Sequence, residues 1–196
     1  MCCKYSYDRR HILTGGTDGV VRKYESRTTN LEREFVDHDI ENDPNPVTAI
    51  IINPSRESPH FIATYVKGYV KLWHTKSGEC LRTINENRQI LNATHHPTSP
   101  KFLTMGDDGQ LYLYDVETGQ RERTFFDSYA PDRVEGHRSR VFAAKFNPKS
   151  VNEFISGGWD DTVQFWDIRK SQSCRYLSGA HVCGEGLDID QKGEQV

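Results

Sequence analysis

His137, Ser156 and Asp160 are the residue types of a hydrolytic relay, in which an imidazole takes a hydroxyl proton and a carboxylate orients the ring. Their setting argues for a different use. Ser156 ends a strand-like run, Glu153–Ser156, and lacks the G-x-S-x-G elbow that presents a nucleophile at a strand end. The neighbouring pair His95 and His96 could offer imidazoles to a metal. On a strand, however, consecutive side chains point to opposite faces and do not share an ion. No phosphate-cradling glycine motif is present. Neither cofactor nor metal is therefore expected, and the chain does not read as an enzyme.

Positioning these residues falls to the stretch Gly136–Arg169, GHRSRVFAAKFNPKSVNEFISGGWDDTVQFWDIR. It opens on Gly-His and holds three strand-like runs, Val141–Phe146, Glu153–Ser156 and Thr162–Trp166. Asn147-Pro148 breaks the chain after the first, and Gly157-Gly158-Trp159-Asp160-Asp161 turns it after the second. The aromatic residues that end the third run of each unit are Tyr24, Trp73, Tyr114 and Trp166, spaced by 49, 41 and 52 residues. That period describes four units of one kind. Unit two reads Val47–Ile52, Phe61–Thr64, Tyr69–Trp73 and Cys80–Ile84, with a second Asn-Pro break at Asn53-Pro54. Unit three reads Ile90–His95, Phe102–Thr104, Leu111–Tyr114 and Arg121–Phe126. Unit one contributes His11–Thr14, Val20–Tyr24 and Leu31–Phe35 after a short initial strand. Cys174–Ser178 closes unit four.

The Gly-His opening, the Trp-Asp close and the hairpin between them resemble a blade of a WD-repeat (WD40) β-propeller. The resemblance implies an all-β chain of four antiparallel four-stranded blades, over about 1–36, 46–85, 88–127 and 136–180. Residues 182–196, with Leu187–Asp190, would start a further blade within one domain, 1–196. Because such rings close with more blades, the chain is expected to be a partial propeller from a longer protein. In this family the Gly-His histidine, a strand-two hydroxyl, the turn Asp and the strand-three Trp form a buried network, here His137, Ser156, Asp160 and Trp166. Thr14, Asp18 and Tyr24, and Thr104, Asp108 and Tyr114, repeat it without the histidine. Unit two, with Ala63 and Lys67 at those positions, should lack it.

What the resemblance implies about function is protein binding by the loop-bearing top face. The matching positions are Trp159, Phe142, Arg140, Asp107 and Leu91. A large aromatic at a turn tip beside Arg140 is unusual for packing and common in interface anchors. The run from Phe154 to Arg169 also resembles the W-D-x-R box with which some WD-repeat proteins dock on a cullin–RING ubiquitin-ligase adaptor, through Asp167 and Arg169.

Charge narrows the partners. The chain has 196 residues and a formal net charge of −3, too small for steering toward nucleic acid or anionic lipid. No apolar run approaches a membrane span. Five cysteines without paired spacing suit reduced thiols and an intracellular setting, cytoplasmic or nuclear. The acidic stretch Asp37–Asp43 is either a solvated loop or half of a site for a basic peptide.

Overall fold

The computed structural model describes residues 2–53 and 59–193, so Pro54 of the second Asn-Pro break and residues 194–196 lie outside the described residues. It contains four sheets of four antiparallel strands, each ordered as in the sequence. The first holds β1 (Cys2–Tyr5), β2 (His11–Gly15), β3 (Val21–Glu25) and β4 (Leu31–Phe35). A short helix, α1 (His38–Asn42), precedes the second sheet of β5 (Val47–Ile52), β6 (His60–Tyr65), β7 (Tyr69–His74) and β8 (Cys80–Asn85). The third comprises β9 (Ile90–His95), β10 (Lys101–Gly106), β11 (Leu111–Asp115) and β12 (Arg121–Phe125). The fourth comprises β13 (Val141–Phe146), β14 (Glu153–Gly158), β15 (Thr162–Asp167) and β16 (Arg175–Ser178). The chain divides into two compact units, Met1–Ile90 and Leu91–Val196.

Burial explains why these segments became strands. The second strands β6, β10 and β14 are buried along almost their whole length, which suits near-continuous runs such as Phe-Ile-Ala-Thr-Tyr and Phe-Leu-Thr-Met. The last strands β8 and β16 are far more exposed, and β16 is exposed throughout. Within each unit the final residue of one sheet seals the next. Phe35, ending β4, meets Phe61 edge-on at 4.8 Å and Trp73 at 6.0 Å. Phe125, ending β12, meets Phe154 at 4.9 Å and Trp166 at 5.6 Å. The same three aromatics recur because Phe61 pairs with Trp73 in register, as Phe154 does with Trp166. Edge-to-face pairs of this kind add about 1 kcal/mol each beyond burial.

Two stretches differ from the sequence expectation. The acidic segment after β4 is helical, because the Asp37 side chain caps α1 by accepting the Ile40 N–H at 3.2 Å. Leu187–Asp190 carries no strand. Instead Val182 and Leu187 join a cluster with Ala143, Ile155 and Val163 on the fourth sheet. Val182 rests on Gly157 and donates its N–H to Gly158, just as Val47, the first residue of β5, rests on Gly15 and donates to Gly16. The chain leaving β16 thus follows the path that, in the first unit, leads into the next sheet.

Candidate functional site

The fourth sheet assembles a directional chain of hydrogen bonds. The Trp166 indole N–H donates to Ser156 Oγ at 2.7 Å. Ser156 Oγ lies 2.7 Å from His137 Nε2, and His137 Nδ1 lies 2.9 Å from the Asp160 carboxylate. An ionised carboxylate can only accept, so Nδ1 carries the proton and Nε2 accepts from the serine hydroxyl. Thr162 Oγ1 and the Arg138 N–H complete the donors around Asp160. Burial alone would raise the Asp160 carboxyl. The His137 contact and these donors outweigh it and hold the group below its ordinary value of 3.8.

These distances would serve a hydrolytic relay equally well, and access decides between the two uses. Ser156 is 0% exposed and His137 is 1% exposed. The Ser156 oxygen, moreover, already accepts from Trp166 and donates to His137. A carbonyl carbon has no approach to it.

The other sheets show what becomes of the pattern when one member changes. In the first sheet the turn residue Asp18 binds Arg22 at 2.7 Å rather than an imidazole. In the third, Asp108 accepts the Gln110 N–H at 3.0 Å, closing its own turn. In the second, Ala63 occupies the register position of Ser156, so the buried Trp73 indole N–H lacks the serine acceptor and is left to the Tyr65 hydroxyl.

Above this framework the structure gathers three of the residues singled out for partner binding. Trp159 is 43% exposed at the tip of the β14–β15 turn. Its ring lies 5.0 Å from that of Phe142, and the Arg140 guanidinium sits over it at 5.2 Å. Phe142 reaches Trp159 because β13 bulges there: Val141 pairs with Gly158 and Ala143 with Gly157, which leaves Phe142 out of the ladder and re-aimed. Gly158 permits the close approach, since a Cβ on it would stand 2.4 Å from the Arg140 carbonyl.

A fourth member, His181, stacks on Trp159 at 6.3 Å and is held by Asp161 at 2.6 Å. Sequence reading missed it, although the turn carried a signal. Gly19, Gly68 and Gly109 take the left-handed conformation at this position of the other three turns, and Asp161 takes it here at φ 57°. A non-glycine residue in that region costs about 1 kcal/mol and is commonest where a site needs it.

Asp107, in the β10–β11 turn, and Leu91, on β9, belong to the third sheet. The Asp107 turn abuts the backbone of His137 and Ser139 through Gly109. Leu91 precedes Asn92, whose amide donates to the Phe142 carbonyl at 2.9 Å. Just past the end of β15 in the fourth sheet, Arg169 forks onto Asp167, at 2.8 Å through Nε, and holds that carboxyl down to about 2. Arg138 was also missed. It ties the loop before β13 by donating to Asp127, which is fully buried, and to the carbonyls of Ala130 and Arg133.

Four-stranded meanders, a His–Ser–Asp–Trp chain and recurring Phe/Trp seals are features of WD-repeat blades. The family model "WD domain, G-beta repeat" (WD40) matches residues 1–25 and 131–167. Its relatives include "WD repeat-containing protein 18" of Bos taurus, 26% identical over 90% of this chain and 42% of the relative. The "Periodic tryptophan protein 2 homolog" of Dictyostelium discoideum is 25% identical over 94% of the chain and 19% of the relative. Human "Nucleoporin Nup43" is 22% identical over 89% and 47%. The chain thus spans less than half the length of each. WD-repeat proteins generally bind other proteins and are generally non-catalytic. Among the described residues no helix is long and apolar enough to cross a membrane.

Proposed function

We propose that the chain is a non-catalytic protein-binding module that holds a peptide segment of its partner on the Trp159 cluster. The observation that carries this reading is an exposed indole braced by Phe142, Arg140 and His181 above a turn that keeps a strained Asp161. A rigid aromatic beside a guanidinium supplies contact area at small entropic cost, as interface anchors do. Arg140 favours an acidic or carbonyl-rich segment next to the residue that meets Trp159. Asp107 and Leu91 belong to the wider face of this reading.

The five free cysteines support a reducing, intracellular setting for this work. A second reading, docking on a ubiquitin-ligase adaptor, rests on Arg169, whose side chain is 70% exposed yet fixed by Asp167. The two readings separate in one experiment. Co-purification of the wild-type protein is compared with the Trp159→Ala/Phe142→Ala double variant and with Arg169→Ala, all shown to be folded. The proposal expects specific partners to be lost from the double variant and kept by Arg169→Ala. Partners lost only from Arg169→Ala would establish the adaptor reading instead.

A further inference from the structure

The acidic stretch has a use that the Trp159 cluster does not absorb. Asp37, Asp39, Glu41 and Asp43 line one short segment, and two lysines reach back to it. Lys71, with 1% of its side chain exposed, donates to Asp37, to Asp39 at 2.9 Å and to Thr83 Oγ1 at 3.2 Å. Its three ammonium protons are thereby spent. Lys67 pairs with Asp43. Four carboxylates against two ammoniums leave about two negative charges uncompensated at this place on the surface, and the side chains of Asp39 and Asp43 are largely exposed there.

Next to these acids a cleft of 340 Å³ opens between Ile40, Asn45, Tyr65, Tyr69 and Lys71. One polar group in its wall is buried without a partner. Asn45 is 2% exposed. Its Oδ1 accepts the Lys67 N–H at 3.0 Å, which fixes the amide so that Nδ2 is the free donor. The Tyr65 hydroxyl is turned toward the Trp73 indole inside the core, and burial keeps its phenol neutral by raising its pKa. A natural ligand has to bring an acceptor for Asn45 and a positive charge for the surplus carboxylates.

We infer that this cleft receives a basic residue, lysine or arginine, from an extended segment of a partner protein. The cation faces Asp39 and Asp43. The aliphatic stem lies along Tyr69 and Ile40, and the main-chain carbonyl of that residue accepts from Asn45 Nδ2. Nucleic acid and anionic lipid are repelled by the same surplus charge. No residue is shared with the Trp159 cluster, so either site can fail without the other.

The test is a titration of the isotopically labelled full chain with the capped peptide acetyl-Gly-Ala-Lys-Ala-Gly-amide, its arginine counterpart and its norleucine counterpart, followed by amide chemical shifts. Saturable shifts centred on the Asn45 side-chain amide, Lys67 and Tyr69 are expected with lysine or arginine and absent with norleucine. Asp43→Asn and Asp39→Asn together should weaken binding about tenfold, while Trp159→Ala leaves it unchanged. Asp43→Asn alone, which leaves both carboxylate partners of Lys71 in place, should weaken it in the same direction and guards against a folding effect of Asp39→Asn. Equal binding of norleucine, unchanged affinity in both acidic variants, or no shift up to about 10 mM peptide would overturn the assignment.

Discussion

The Trp166 indole donates to Ser156 Oγ at 2.7 Å, and that one contact joins the strand-three aromatic to the imidazole and carboxylate beyond it. The second sheet has the same register but Ala63 in place of the serine, and its Trp73 N–H lacks that acceptor. Opposite substitutions should therefore have opposite signs. Ser156→Ala is expected to cost about 1–3 kcal/mol in urea unfolding, because it strands a buried indole and an imidazole. Ala63→Ser is expected to add about 1 kcal/mol by supplying the missing acceptor. Equal signs would show that the hydroxyl is not what satisfies the indole.

Asp160 makes the fourth sheet sensitive to acid. Its folded-state carboxyl is held below the ordinary value of 3.8, so its contribution is complete above that value and is lost as pH falls through the folded one. Urea midpoints should drop below about pH 4 in the wild type. Asp160→Asn and His137→Ala should be less stable by about 1–3 kcal/mol at neutral pH and show a flatter acid limb. A variant with the wild-type acid slope would relocate the titrating group.

Asp161 sets stability against binding. Asp161→Gly relieves the left-handed backbone by about 1 kcal/mol and releases His181 from its carboxylate. The variant should melt higher than wild type and bind the partner more weakly. Higher stability with undiminished affinity would mean that the turn carries strain for no purpose in recognition.

Arg138 is expected to order the loop from Asp127 to Glu135. Arg138→Ala removes the guanidinium from a fully buried Asp127 carboxylate and from two loop carbonyls. Amide exchange at Tyr129, whose N–H is held by Asp127 at 3.0 Å, should accelerate while the amides of β14 stay protected. Unchanged exchange at Tyr129 would assign the order of the loop to its backbone alone.

Much of this was legible in the sequence, for a physical reason. Strand runs such as Val141–Phe146 and Leu31–Phe35 are bounded by turn residues and carry their burial in their composition, so their limits coincide with the observed strands. The residue types of the network were also legible, because Gly136-His137 and Trp166-Asp167 sit at a fixed distance from the hairpin. The helix after Asp37 was not, since a five-residue turn has too few positions to show a period and owes its form to one cap. Nor was the bulge that frees Phe142, which depends on pairing with β14. His181 comes to Trp159 only through Asp161. Its one trace in the sequence is an aspartate where the other three turns carry glycine.

The central claim is that the residues of catalytic type build the fourth sheet while the aromatic cluster above them does the binding. Titration calorimetry of a purified partner segment against three proteins tests it most directly: wild type, Ser156→Ala and Trp159→Ala/Phe142→Ala, each below its melting temperature. The account predicts wild-type affinity for Ser156→Ala, with lowered stability, and a loss of about a hundredfold for the double variant, roughly 2.7 kcal/mol. Full affinity in the double variant, or loss of binding in folded Ser156→Ala, would contradict it.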